Sequence, residues 1–247
     1  MALESNRKKL QVTAKNQQQD WDSTFQLMSW WDTEVIKTAK VMVVGAGALG
    51  NEVLKNLTLL NVGNILVMDF DDVEYANLNR SILFRESDCG TGICKSEIAA
   101  ERIRKINPNV KVMSIEGDVT TDIGLGVFRR MDVIIGCLDN RLARLFLNRA
   151  CYKVNKTWVD GGIENLAGQL NVYKPNVSCY ECGLTPADWK NIKFRLGCPD
   201  VARRNYAQGK IPTTPISSSI IGAMQVQEAL KVVYKNDKQS MAGETFF

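Results

Sequence analysis

The sequence predicts an α/β protein. Its architecture is a Rossmann-like, doubly wound, mostly parallel sheet with a C-terminal β-rich appendage and a closing helix. Three observations carry the prediction. Short continuous apolar runs recur along the chain and stop at Gly or Asp, as strands buried on both faces do. Segments with apolar residues at helical spacing separate those runs. The first run leads straight into Gly45-Ala46-Gly47-Ala48-Leu49-Gly50, a glycine-rich turn placed between a strand and a helix.

Each element has its own signature. Residues 1–20 are polar and rich in Gln, Lys and Asn, an arm rather than an element. Trp21 to Ile36 is mixed, with Trp30-Trp31 as an anchor. Lys40 to Val44 reads as a buried parallel strand, and Leu49, Val53, Leu54, Leu57 and Leu60 give the next helix its apolar face. Asn64 to Asp69 is a second strand. Lys95 to Ile106 is a helix stopped by Asn107-Pro108, where the residue before proline leaves helical geometry. Lys111 to Ile115 and Asp132 to Cys137 are strands, Arg141 to Val154 a helix, and Thr157 to Val159 a short strand. Gln169 to Tyr173 opens a region expected to be antiparallel. Residues 183–215, with four prolines, read as loop, and Ser217 to Tyr234 as the closing helix. The expected organisation is an arm over 1–29, a nucleotide-binding core over 30–165, and a C-terminal part over 166–247.

Composition narrows the chemistry. At 247 residues the chain can bury a full core without staples. A net charge of +4 with no basic run gives no footprint for nucleic acid. The apolar runs are strand-length, too short for a membrane span. There are no histidines, so no Ser-His-Asp triad, imidazole base or His metal ligand can come from this chain. Seven cysteines, an odd number in a long chain that opens on a polar stretch, suit reduced thiols in a cytoplasmic protein.

The glycine loop points to a nucleotide. Gly45 and Gly47 let backbone approach phosphate, and the helix after the loop offers free N–H groups and the positive end of its dipole. Asp69, at the end of the next strand, is placed for ribose hydroxyls. The alternative is a turn that is glycine-rich only for packing. NAD is the default ligand of such a fold, but the residues downstream of the loop argue against it. After Asn77, Arg80 and then Lys95 at a helix start supply two cations for a triphosphate, and Asp139, before Asn140 at the end of a strand, supplies a carboxylate for Mg²⁺. A dehydrogenase needs no such cluster.

Taken together, G-A-G-A-L-G-N, D-F-D-D-V-E-Y-A-N-L-N-R, K-S-E-I-A-A-E-R-I-R-K-I-N-P, C-L-D-N-R and C-Y-E-C resemble the MoeB/ThiF/HesA superfamily, which includes the ubiquitin-activating enzymes. The resemblance runs from about Trp30 to Tyr234. It implies ATP-dependent adenylation of the C-terminal glycine of a ubiquitin-like or sulfur-carrier protein. Carried over by position, Gly45, Gly47 and Gly50 match the phosphate and adenosine loop and Asp69 the ribose acid. Asn77, Arg80 and Lys95 match the phosphate contacts, and Asp139 the Mg²⁺ ligand. The attacking carboxylate is already ionised at neutral pH, so such a site needs no histidine. The competing readings are a non-catalytic partner subunit of an activating heterodimer, or an NAD-dependent oxidoreductase.

The resemblance also bears on the cysteines. Cys179 and Cys182 match half of a structural zinc site, but no second C-x-x-C follows in these residues. Either other ligands complete it or no zinc binds, and a redox pair or two packed thiols remain the alternatives. Cys198 lies where ubiquitin-activating relatives carry a thioester cysteine that passes its cargo to a conjugating enzyme. A zinc ligand or a plain loop thiol are its other readings. Many relatives carry an Arg-rich segment before the first strand that reaches a dimer partner's phosphates. Trp21 to Leu27 has no Arg. The expectation is a homodimer, or a heterodimer with an arginine-supplying subunit.

Overall fold

The computed structural model describes residues 20–197, 213–236 and 239–246. Its centre is a seven-stranded sheet in the order β3-β2-β1-β4-β5-β6-β7. β1 (Lys40–Val44), β2 (Asn64–Asp69), β3 (Lys111–Glu116), β4 (Val133–Gly136) and β5 (Trp158–Glu164) run parallel. β6 (Ala167–Tyr173) and β7 (Thr245–Phe246) continue the same sheet antiparallel, across residue 165. The helices are α1 (Thr33–Thr38), α2 (Ala48–Leu59), α3 (Lys95–Ile106), α4 (Leu125–Arg130), α5 (Arg141–Lys153), α6 (Pro186–Gly197) and α7 (Pro215–Val233).

The alternation of side chains along β1 sorts the helices into two layers. Val41 and Val43 enter one core with Val53, Leu54 and Leu57 of α2, Ile98 and Ile103 of α3, and Val226 of α7. Met42 and Val44 enter the other with Phe128 of α4, Leu147 of α5 and Trp158 of β5. Both faces of the strand are therefore buried, which is why it reads as continuously apolar. Strand order reverses between β1 and β4. Crevices at such a switch point, outside the carboxyl ends of the strands, are where open α/β sheets bind ligands.

The closing helix α7 lies against α2 and covers β4, β5 and β6. Its C-terminal end is clasped to the segment before β1: Tyr234 Oη accepts from the Asp32 amide at 3.0 Å and donates to the Asp32 carbonyl at 3.2 Å. Trp30 and Trp31 pack their rings around Tyr234. The stretch read as loop after residue 183 holds α6, a difference with a local cause. Thr185 and Asp188 form a reciprocal cap, and Pro186 fits the first helical turn, where no N–H donor is needed. Among the described residues, no helix is long and apolar enough to cross a membrane.

Candidate nucleotide and carrier site

A cavity of about 1440 Å³ opens at the carboxyl ends of β1, β2, β4 and β5. It exceeds the ~300–1,000 Å³ of an ordinary ligand pocket. One arm lies over the glycine loop. The other runs along the β5–β6 hairpin past Gly162, Gly168, Tyr173 and Cys179.

The three loop glycines have three different surroundings. Gly45 has φ +97°, and a Cβ there would lie 2.3 Å from the Cys137 carbonyl oxygen. A Cβ on Gly50 would meet the Gly45 carbonyl oxygen at 2.0 Å, so Gly50 lets α2 sit tight on the loop. Gly47 has nothing within 4 Å of its would-be Cβ and lines the cavity. The protein itself makes no use of that open face, which leaves it to a ligand approaching the backbone.

Asp69 ends β2 and braces this loop. Its carboxylate accepts from the Ala46 amide at 2.6 Å and from the Asp71 amide at 2.9 Å. Burial pushes its carboxyl up, against the opposing pull of Lys95 and of those two amides. Lys95 opens α3 and is buried. Its ammonium pairs with Asp71 at 2.8 Å, and its backbone N–H donates to the Asp71 carbonyl at 2.7 Å. Asn77 and Arg80 lie in a 3-10 segment, Tyr75–Arg80, that crosses the cavity mouth. The Asn77 side chain caps it by accepting from the Glu74 amide at 2.9 Å. Arg80 donates to the Ala76 carbonyl and to Asn79.

Asp139 comes after β4, exposed on the cavity wall. Its neighbour Asn140 caps α5 by accepting from the Ala143 amide at 2.8 Å. Asp139 shares the cavity wall with other carboxylates, Asp69, Asp71 and Asp118 among them. Gly45, Gly47, Asp69, Asn77, Arg80, Lys95 and Asp139 all line the cavity. Gly50 packs beneath the loop instead.

Sequence reasoning missed what lies under this floor. Arg144 of α5 and Asp160 of β5 form a buried ion pair at 3.0 Å, and both line the cavity. Gln225 of α7, fully buried, donates to the Gly136 carbonyl at 2.8 Å. An Arg among apolar helix residues reads as a solvated charge. The one available signal was Asp160-Gly161-Gly162, an acid and two glycines closing an apolar strand.

The thiols divide differently. Cys179 lines the far arm. Burial works to raise its thiol, but hydrogen bonds involving Asn148, Cys182 and the amides of Cys182 and Glu181 outweigh it and hold the thiol below the usual range. Cys182 is exposed beside it, and its hydrogen bond with Cys179 and the electrostatic influence of that neighbouring thiol push its own thiol up. Among the described residues, no group of three or more Cys, Asp or Glu is placed to hold a metal, so this pair alone does not make a tetrahedral zinc centre. Cys198 lies outside the described residues.

A doubly wound sheet with a glycine loop after its central strand and an acid ending the next defines a Rossmann-like nucleotide-binding class. Within that class the chain belongs to the ThiF family, which it matches over residues 22–247. It is 38% identical over 149 residues to the SUMO-activating enzyme subunit 2 of Dictyostelium discoideum, covering 60% of this chain and 22% of that protein. It is 32% identical over 203 residues to the adenylyltransferase and sulfurtransferase MOCS3 of Culex quinquefasciatus, covering 82% and 43%. The chain thus spans less than half the length of either relative. The fold is shared with E. coli MccB, solved with AMPCPP and MccA, at a TM-score of 0.69 and 22% identity over 91% of this chain and 66% of that one.

Proposed function

We propose that the chain binds Mg·ATP over the glycine loop and adenylates the C-terminal carboxylate of a ubiquitin-like or sulfur-carrier protein laid along the β5–β6 arm. The observation that carries this reading is convergence. Five segments far apart in sequence bring Gly47, Asp69, Arg80, Lys95 and Asp139 to one cavity whose second arm is lined by glycines. The names of the relatives, an adenylyltransferase and an activating-enzyme subunit, support it.

In this reading the open face of Gly47 admits the phosphates against the start of α2, where free N–H groups favour anions. Asp69 takes the ribose hydroxyls while keeping the loop in place. Lys95 leaves Asp71 for phosphate oxygens, and Arg80 and Asn77 close over them. Mg²⁺, held by Asp139, would neutralise charge on the phosphates. The incoming carboxylate needs no base, so the residues act by positioning and charge stabilisation.

The segment 21–27, without Arg, packs at the opposite end of the sheet: the Trp21 indole donates to the Leu59 carbonyl at 2.9 Å, and Asp22 pairs with Lys37 at 3.2 Å. A different subunit in a heterodimer is therefore proposed as the source of the phosphate arginine; in a homodimer the phosphates would be met by Lys95 and Arg80 alone. Cys198 is proposed as the thioester carrier toward a conjugating enzyme, and Cys179 with Cys182 as half of a zinc site completed by other ligands.

ATP–pyrophosphate exchange with a panel of carrier proteins tests the core reading. Exchange that depends on one carrier and is lost in Asp139→Ala supports it. No exchange, with nucleotide still bound, favours the non-catalytic partner subunit.

A further inference from the structure

Strands β4 and β5 pair in parallel as far as Gly136 and Asp160, and then separate. Beyond that point the chain after β4 carries Asp139 into the nucleotide arm, and the chain after Asp160 forms the hairpin of the second arm. Arg144 spans the gap. Its Nη2 donates to the Leu138 carbonyl at 2.6 Å and to the Gly161 carbonyl at 3.0 Å, and its Nε donates to Asp160 at 3.0 Å. Burial works against its charge, but Asp160 beside it holds the guanidinium above the ordinary arginine value. The planar fork thus replaces ladder bonds that the separated strands no longer make to each other.

We propose that Arg144 is the positioning residue for Asp139. By fixing the carbonyl of the residue before Asp139 to the first glycine of the hairpin, it holds the metal-binding carboxylate at a set place relative to the second arm. The inference rests on the proposed nucleotide reading. Groups that orient a metal ligand from behind are commonly worth ~10–100-fold in metal affinity. Lysine keeps the charge at this position but cannot reach all three acceptors at once.

The test uses Mn²⁺ as a paramagnetic probe. Its binding to the full chain saturated with AMPCPP is followed by electron paramagnetic resonance, beside AMPCPP affinity without metal. Arg144→Lys is expected to weaken Mn²⁺ in the ternary complex about tenfold, with metal-free AMPCPP affinity altered less than about twofold. Unchanged Mn²⁺ affinity, or equal losses in both measurements, overturns the proposal. Should Arg144→Lys not fold, the double variant Arg144→Met with Asp160→Leu removes the pair without orphaning a buried charge. It should show the same selective Mn²⁺ loss, and normal Mn²⁺ binding by it overturns the proposal equally. A wild-type chain that binds no AMPCPP removes the nucleotide reading and this inference with it, an outcome visible before any variant is made.

Discussion

Gly47 and Gly50 sit three residues apart and answer to different demands. Gly50→Ala drives a Cβ into the Gly45 carbonyl and should cost about 1–3 kcal/mol, read as a lowered urea midpoint. Gly47→Ala meets no protein atom, but Gly47 is the N-cap of α2, so the loss of stability should be about 1 kcal/mol or less. Its ATP affinity should nevertheless fall about tenfold, or about 1.4 kcal/mol, by calorimetry. If the alanine at 47 left ATP binding intact, the loop would be glycine-rich for packing alone. If Asp69 meets the ribose as proposed, it sets a pH dependence of binding. Burial raises its carboxyl above 3.8, and only the carboxylate can accept from both ribose and the Ala46 amide. ATP affinity should therefore rise as pH climbs through that raised value, and Asp69→Asn should flatten this limb. The loop and the acid that braces it were legible because a glycine turn between strand and helix, with an acid ending the next strand, leaves a local pattern. Arg144 was not, because its three acceptors belong to separate segments and become neighbours only where two strands part.

At the scale of elements, caps and clasps set the site's walls. Asn140 ties the start of α5 to the turn that carries Asp139. Asn140→Ala should cost about 1 kcal/mol by denaturation. Tyr234→Phe removes two hydrogen bonds at a half-buried position, at the end of the sheet remote from the nucleotide arm. It should cost about 1–2 kcal/mol while leaving ATP affinity unchanged. The central strands and the helices α2, α3, α5 and α7 could be read from the sequence because burial on both sheet faces, or on one helix face, leaves a periodic trace. α4 and α6 could not. α4 is short, holds Gly126 and buries only Phe128, so it has hardly a face to show. α6 is announced by Thr185-Pro186-Ala187-Asp188, a capping signature hidden among prolines that read as loop.

For the molecule as a whole, the sheet runs unbroken from the nucleotide side to β6 and β7, with α7 packed on both α2 and β5. Such continuity predicts one cooperative transition in urea, with tryptophan fluorescence and far-UV circular dichroism superimposing. Two separated transitions would mean that the part after residue 165 holds together by its own contacts. The fold class was visible in the sequence, since strand and helix alternation restricts topology severely. The depth of the cavity was not, because it arises from the divergence of β4 and β5 rather than from any local pattern.

Lys95 rests on Asp71. A lone inorganic phosphate arriving there must part that pair for little more than one replacement contact. A triphosphate parts it once and meets the loop amides and Arg80 as well. On the proposed reading the site would be a valence filter: it should ignore millimolar phosphate in a thermal-shift assay yet respond to ATP, and Asp71→Asn should erase much of the difference.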